Sequence, residues 1–179
     1  MSNYRRVRNG SVYFFTVVTY KRQPVLCLND SRTALRQSIK TAKEKMPFEI
    51  KAWVLLPDHL HCIWELPERN SDYSKRWALI KREFTKRMKG RLKTPSPGPS
   101  RIRSGEATIW QRRFGEHMIK DDLDFTRHAE YIHYNPVRHG LAALPKDWKL
   151  SSFHKFAAQG LYPENWCGNA TDIQDIAGE

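Results

Sequence analysis

His59-Leu60-His61 sets two imidazoles on alternate residues of a short apolar run. In a strand, side chains two apart leave the same face, so both rings converge on one ion while Leu60 enters the core. Such pairs also occur on ordinary polar strand faces, so a metal site needs a third ligand and a reactive group. Tyr131-Ile-His-Tyr-Asn135 offers both, because Tyr131 and Asn135 stand four apart, one helical turn. Asn135 would give a neutral oxygen. Two imidazoles and an amide oxygen leave positions open for a hard divalent ion, Mg²⁺ or Mn²⁺, and for phosphate oxygens. A closed zinc site would want four ligands with thiolates, and no Cys-x-x-Cys is present. The phenol of Tyr131 is then a candidate nucleophile. A packing role is its competing reading, and Tyr134, three residues on, is a rival that spacing does not separate. His128 and His133 read as helix-surface residues.

Positioning these groups requires a sheet and a helix against it. Val12-Tyr-Phe-Phe-Thr-Val-Val-Thr19 is β-branched and aromatic throughout and reads as a buried strand. Ser31 is the expected cap of a helix with Ala34, Leu35, Ser38, Ile39 and Ala42 inward, running to Met46 and stopped by Pro47. Residues 48–56 and 59–66 are strand-like runs joined at Pro57-Asp58, which predicts an antiparallel hairpin with Asp58 as a turn residue and Cys62 opposite to His61. Residues 71–90 read as a basic amphipathic helix. Trp77, Ile80, Phe84 and Met88 mark its apolar stripe; Lys75, Arg76, Lys81, Arg82, Lys86, Arg87 and Lys89 lie around it, either solvated or facing DNA.

The stretch 91–107, with its Thr-Pro-Ser-Pro-Gly-Pro-Ser run, reads as a flexible surface loop. Residues 109–119 resume a strand pattern, and 121–137 read as a helix with Asp121 and Asp122 at its start and Pro136 near its end. The order β-α-β-β-α-β-α with a central hairpin predicts an α+β sandwich of ferredoxin-like type. One domain is expected over 1–160, followed by a tail over 161–179 that packs across it and could regulate the site.

At 179 residues the chain suits one full core rather than two large domains. A net charge of +12 with 12% aromatic residues suits a nucleic-acid binder, since cations neutralise phosphates and rings stack on bases. A hydrophobic fraction of 40% argues against a disordered basic tail. Mean hydropathy of −0.70, with no apolar run near twenty residues, argues against a membrane span. Three scattered cysteines and the lack of a secretory signal pattern predict a cytoplasmic, nucleoid-associated protein without a disulfide framework. Tyr4, Arg5, Arg6 and Arg8 form a basic arm, and Arg112, Arg113, Arg138 and His139 are further candidates for phosphate contact.

Three segments together resemble one known family. They are Trp53-Val-Leu-Leu-Pro-Asp-His-Leu-His-Cys-Ile-Trp64, Trp110-Gln-Arg-Arg-Phe114 followed by His117, and Tyr131-Ile-x-x-Asn-Pro-Val-x-x-Gly140. With Tyr4-Arg-Arg and the late Gly160-Leu-Tyr-Pro and Trp166, the resemblance to the REP-associated tyrosine transposases, a branch of the HUH single-strand transposases, spans nearly the whole chain. It implies a ferredoxin-like core, His59 and His61 as the metal-binding pair, and Tyr131 as nucleophile. Asn135 matches a position where the wider superfamily often places a glutamine ligand; the side chain here is one methylene shorter.

The resemblance further implies cleavage and rejoining of single-stranded REP hairpin DNA through a 5′-phosphotyrosine. It also implies that a basic N-terminal arm reads a short single-stranded stretch beside the hairpin, and that the protein acts as a monomer. Two other readings compete. One is a non-catalytic hairpin-binding protein with structural histidines; the other is a metal-dependent nuclease that uses water, which leaves no protein adduct.

Overall fold

The computed structural model describes residues 11–168 apart from 69, 71 and 164. Four strands, β1 (Val12–Val18), β2 (Glu49–Leu55), β3 (His59–Glu65) and β4 (Gly115–Met118), form one sheet in the order β2-β3-β1-β4. All three pairings are antiparallel. The helices are α1 (Asn29–Lys45), α2 (Tyr73–Met88), α3 (Pro99–Ser104), α4 (Asp122–Arg138) and α5 (Phe153–Ala158). The element order and sheet order are those of the expected ferredoxin-like α+β sandwich, with a further helical layer on the second face of the sheet.

Two-sided burial explains why β1 and β3 read as continuous apolar runs. Phe15, Val17, Leu60, Cys62 and Trp64 join Leu35, Trp77, Ile80 and Phe84 in one core, under α1 and α2. Val12, Phe14, Ala52, Val54 and Ile63 join Phe125, Tyr131, Ile132, Phe153 and Phe156 in the other, under α4 and α5. The Trp64 and Trp77 rings stack at 4.2 Å, centroid to centroid. Truncating either fully buried ring to alanine should cost about 3–5 kcal/mol. Strand parity therefore sends Leu60 and Cys62 to the first core and both histidines to the α4 face.

Several local readings change. Helix α1 starts two residues before Ser31, whose side chain is buried rather than capping. Asp72 caps α2 by accepting from the Lys75 backbone N–H at 3.0 Å. Arg76, grouped with the surface cations of α2, is fully buried and donates to the carbonyls of Met46, Pro47 and Asp72. Within 91–107, read as a loop, the chain forms α3, where Pro99 occupies the first turn, a position that does not need its missing N–H. Arg101 anchors this helix by donating to the carbonyls of Ala107 and Trp110, and its guanidinium lies 4.1 Å from the Tyr20 ring centroid. The fourth strand is only four residues long, so Arg112 and Arg113 precede it in an exposed connection.

Helix α4 carries the reactive-residue motif. Asp121 caps it by accepting from the Asp124 backbone N–H at 2.8 Å, and Asp122 and Asp124 set negative charge against the helix N-terminus. Gly140, with φ of 67°, ends it in the left-handed conformation that glycine adopts without strain. Among the described residues no helix is long and apolar enough to cross a membrane.

Candidate active site

The two histidines of β3 lie side by side, with ring centroids 4.9 Å apart and planes at 84°. His59 Nδ1 donates to Asp58 Oδ1 at 2.6 Å, which leaves its lone pair on Nε2. His61 Nδ1 shares a hydrogen bond with Thr16 Oγ1 at 2.9 Å, across a register pair of β1 and β3, so Nε2 is the atom a ligand would use. Engaging one ring nitrogen to orient the other is how metal-binding histidines are usually held.

Helix α4 brings up the remaining groups. The Tyr131 ring packs edge-on against His61, with centroids 5.1 Å apart, and against Phe14 at 5.9 Å. One turn on, Asn135 is fully buried, and neither its Oδ1 nor its Nδ2 makes a hydrogen bond. His59 Nε2 is likewise buried without one. Leaving a buried amide and a buried imidazole nitrogen unsatisfied costs about 1–3 kcal/mol each. These orphaned donors and acceptors, on residue types that bind hard and borderline cations, fit a divalent ion. Past the end of α4, His139 stacks edge-on against His59 at 5.0 Å, and the Arg138 guanidinium lies 5.5 Å from the Tyr131 centroid. Tyr134, the rival phenol, is half-buried against the α5-side core.

Asp58 does more than make the turn. Its second oxygen accepts from Arg22 Nη1 at 3.1 Å, while Thr19 binds its carbonyl through both N–H and Oγ1. Burial pushes the carboxyl up, but His59 and Arg22 outweigh it and hold it below the usual carboxylate range. Arg22 and its neighbour Lys21 have φ values of 49° and 54°, a left-handed pair costly for residues with a Cβ. Sequence reasoning missed Thr16 and Arg22. The signal for Thr16 was available in part, since a polar residue in an otherwise apolar strand calls for a partner.

The other sequence candidates scatter. Arg112, exposed, donates from Nε to Glu106 at 2.6 Å and from Nη2 to Ser100. Arg113 is exposed in the same connection. Tyr4, Arg5, Arg6 and Arg8 lie outside the described residues. His133, expected at the helix surface, is fully buried between the hydroxyls of Tyr162 (3.1 Å) and Ser152 (2.8 Å), and burial pushes its imidazole down to about 3. This ties the start of the tail, with Trp166 stacked on Tyr162, to α4. His128, also expected at the surface, is buried, and with His117 and Asp124 it forms a group that could hold a metal ion.

Comparison with known proteins gives a consistent set of relatives. Residues 8–135 match the family described as transposase IS200 like. Across 180 residues, covering 100% of this chain and 98% of the relative, it is 43% identical to a REP-associated tyrosine transposase of Escherichia coli K12. A Haemophilus influenzae relative placed in the same group is 42% identical over 170 residues, covering 94% of this chain and 95% of that one. A solved structure of a REP-associated tyrosine transposase bound to a REP hairpin superposes with a TM-score of 0.72 at 42% identity, covering 94% of this chain and 93% of that chain.

Proposed function

The chain belongs to the REP-associated tyrosine transposases, within the IS200-like transposase family, and we propose that it cuts and rejoins single-stranded REP hairpin DNA with Tyr131 as nucleophile. The observation that carries this reading is the convergence of His59, His61 and Tyr131 on one face of the sheet, beside the unsatisfied amide of Asn135. Bound by His59, His61 and Asn135, a Mg²⁺ or Mn²⁺ ion would polarise the scissile phosphate and offset charge on the leaving oxygen.

Tyr131 gives up its phenolic proton and attacks phosphorus in line. A bond forms between the tyrosine oxygen and phosphorus, and the bond from phosphorus to the 3′ oxygen breaks. That oxygen takes up a proton and leaves as a 3′-hydroxyl, with the 5′ side held as a phosphotyrosine. Because the phosphodiester is exchanged rather than hydrolysed, another 3′-hydroxyl can reverse the step without a nucleotide cofactor. Arg138 sets a positive charge beside the ring that must carry a negative one during attack. Asp58 and Thr16 hold the two imidazoles in orientation, and burial of Tyr131 limits competing hydrolysis by water.

The contact between Tyr131 and His61 lies within one chain, which supports a monomeric enzyme. The basic N-terminal arm with Tyr4, Arg5, Arg6 and Arg8, together with Arg113, is proposed to meet DNA phosphates.

The test is a denaturing gel of labelled single-stranded hairpin DNA incubated with wild type or Tyr131→Phe, in Mn²⁺, Mg²⁺ or EDTA. A metal-dependent covalent adduct, lost in the variant while hairpin binding persists, is expected. An adduct that survives in Tyr131→Phe overturns the nucleophile. Tight hairpin binding with no adduct under any metal turns the reading to a binding module, and cut DNA without an adduct turns it to a nuclease.

A further inference from the structure

We propose that His117, Asp124 and His128 form a second metal site, distinct from the His59–His61 pair, that takes a borderline divalent transition ion such as Zn²⁺ or Co²⁺. Asp124 and His128 stand four apart on α4 and share a face, while His117 faces them from β4, where it pairs in register with Phe14. One ligand atom from each of the three lies within 4.8 Å of the others. His117 Nε2 is 2.9 Å from Asp124 Oδ2, and His128 Nδ1 is 2.9 Å from Asp124 Oδ1. The two imidazoles stack nearly parallel, 14° apart with centroids at 4.6 Å, so both rings address the same carboxylate.

The donor set decides the class of ion. Two imidazole nitrogens with one carboxylate oxygen suit zinc, cobalt and nickel, whereas magnesium and calcium prefer oxygen alone. The site is reachable: the His128 and Asp124 side chains are 8% and 19% exposed, but His117 is 39% exposed and opens one side to solvent, which would complete the coordination. Binding at these nitrogens replaces the His117 contact with the Asp124 carboxylate and the contacts of His128 Nδ1 with that carboxylate and with the Asp124 backbone carbonyl, 2.9 Å away. His128 shifts its proton to Nε2 and His117 to Nδ1, while Asp124 Oδ2 keeps the Lys120 backbone N–H as an outer hydrogen bond.

The ring of Phe14 separates the two groups, at 5.5 Å from His61 on one side and 4.8 Å from His128 on the other. An ion in the second group is therefore not a second catalytic ion. It would cross-link the edge strand β4 to the first half of α4, one turn before Tyr131, and so fix the helix that carries the nucleophile.

The test is an anomalous difference map from crystals of the full-length wild-type protein grown with Co²⁺, with bound cobalt counted in solution. A peak among His117, Asp124 and His128, with a stoichiometry of two falling to one in His117→Gln, is expected. A map without that peak, or a count unchanged in His117→Gln, overturns the second site. The peak at His59 and His61 is read separately: its absence counts against the metal-dependent mechanism and leaves this site standing.

Discussion

The hydroxyl of Thr16 and Nδ1 of His61 lie 2.9 Å apart across a register pair of neighbouring strands, so a residue of β1 sets the direction of a ring on β3. Thr16→Val keeps the shape and the strand propensity but removes the partner. Lost orientation of a metal-binding histidine typically lowers metal affinity about 10–100-fold. Covalent adduct formation should need correspondingly more Mn²⁺ in this variant, while hairpin affinity stays at the wild-type value. An unchanged Mn²⁺ dependence would show that Thr16 merely packs.

Asp58 links His59 to Arg22, and its charge rather than its shape strengthens the hydrogen bond that orients the ring. Asp58→Asn should keep the turn, because asparagine serves the same turn chemistry, but weaken metal binding by about 10-fold. Asp58→Ala should lose both. Calorimetric titration with Mn²⁺ and thermal melting separate the two effects. Equal metal affinity in wild type and Asp58→Asn would reduce Asp58 to the turn residue that its sequence context suggests.

The parts of this site that rest on periodicity were legible in the sequence. Strand parity separates His59 and His61 from Leu60 and Cys62, and the four-residue spacing puts Tyr131 and Asn135 on successive turns of α4. The contact of Asp58 with His59, beyond its place in the turn, was not legible, because a turn aspartate and a histidine-orienting carboxylate are the same residue in the same place. Arg76 and Arg101 were hidden by their charge: burial of a guanidinium depends on carbonyls that only the tertiary structure collects. The burial of His133 and His128 was also invisible, since α4 has sheet on one side and α5 with the tail on another, and a sequence shows only one apolar stripe.

Arg112, a sequence candidate for phosphate contact, has its charge offset by Glu106 at 2.6 Å. Glu106→Gln should release it. Hairpin affinity at low salt should then rise, and the slope of log K against log salt should steepen by about 0.7–0.9, the value for one added phosphate contact. Arg112→Ala in the wild-type background should change little. Filter binding at several salt concentrations reads both. An unaltered slope in Glu106→Gln would place this connection away from the DNA.

His133 gives the fold an acid sensitivity with a definite sign. Burial pushes its imidazole down to about 3, so the folded chain keeps it neutral at pH values where the unfolded chain takes a proton. Its contribution is complete above the ordinary histidine value of about 6.5 and is lost as pH falls from there towards 3, by at most about 1.4 kcal/mol per pH unit. Urea unfolding should therefore show stability dropping between pH 6.5 and 5. His133→Gln can still reach the hydroxyls of Tyr162 and Ser152 but has no proton to take up. It should be less stable at pH 7 and show a flatter pH dependence over the same interval. The same slope in both proteins would mean that the acid sensitivity arises elsewhere, and His128, pushed down by its own burial, would be the next group to replace.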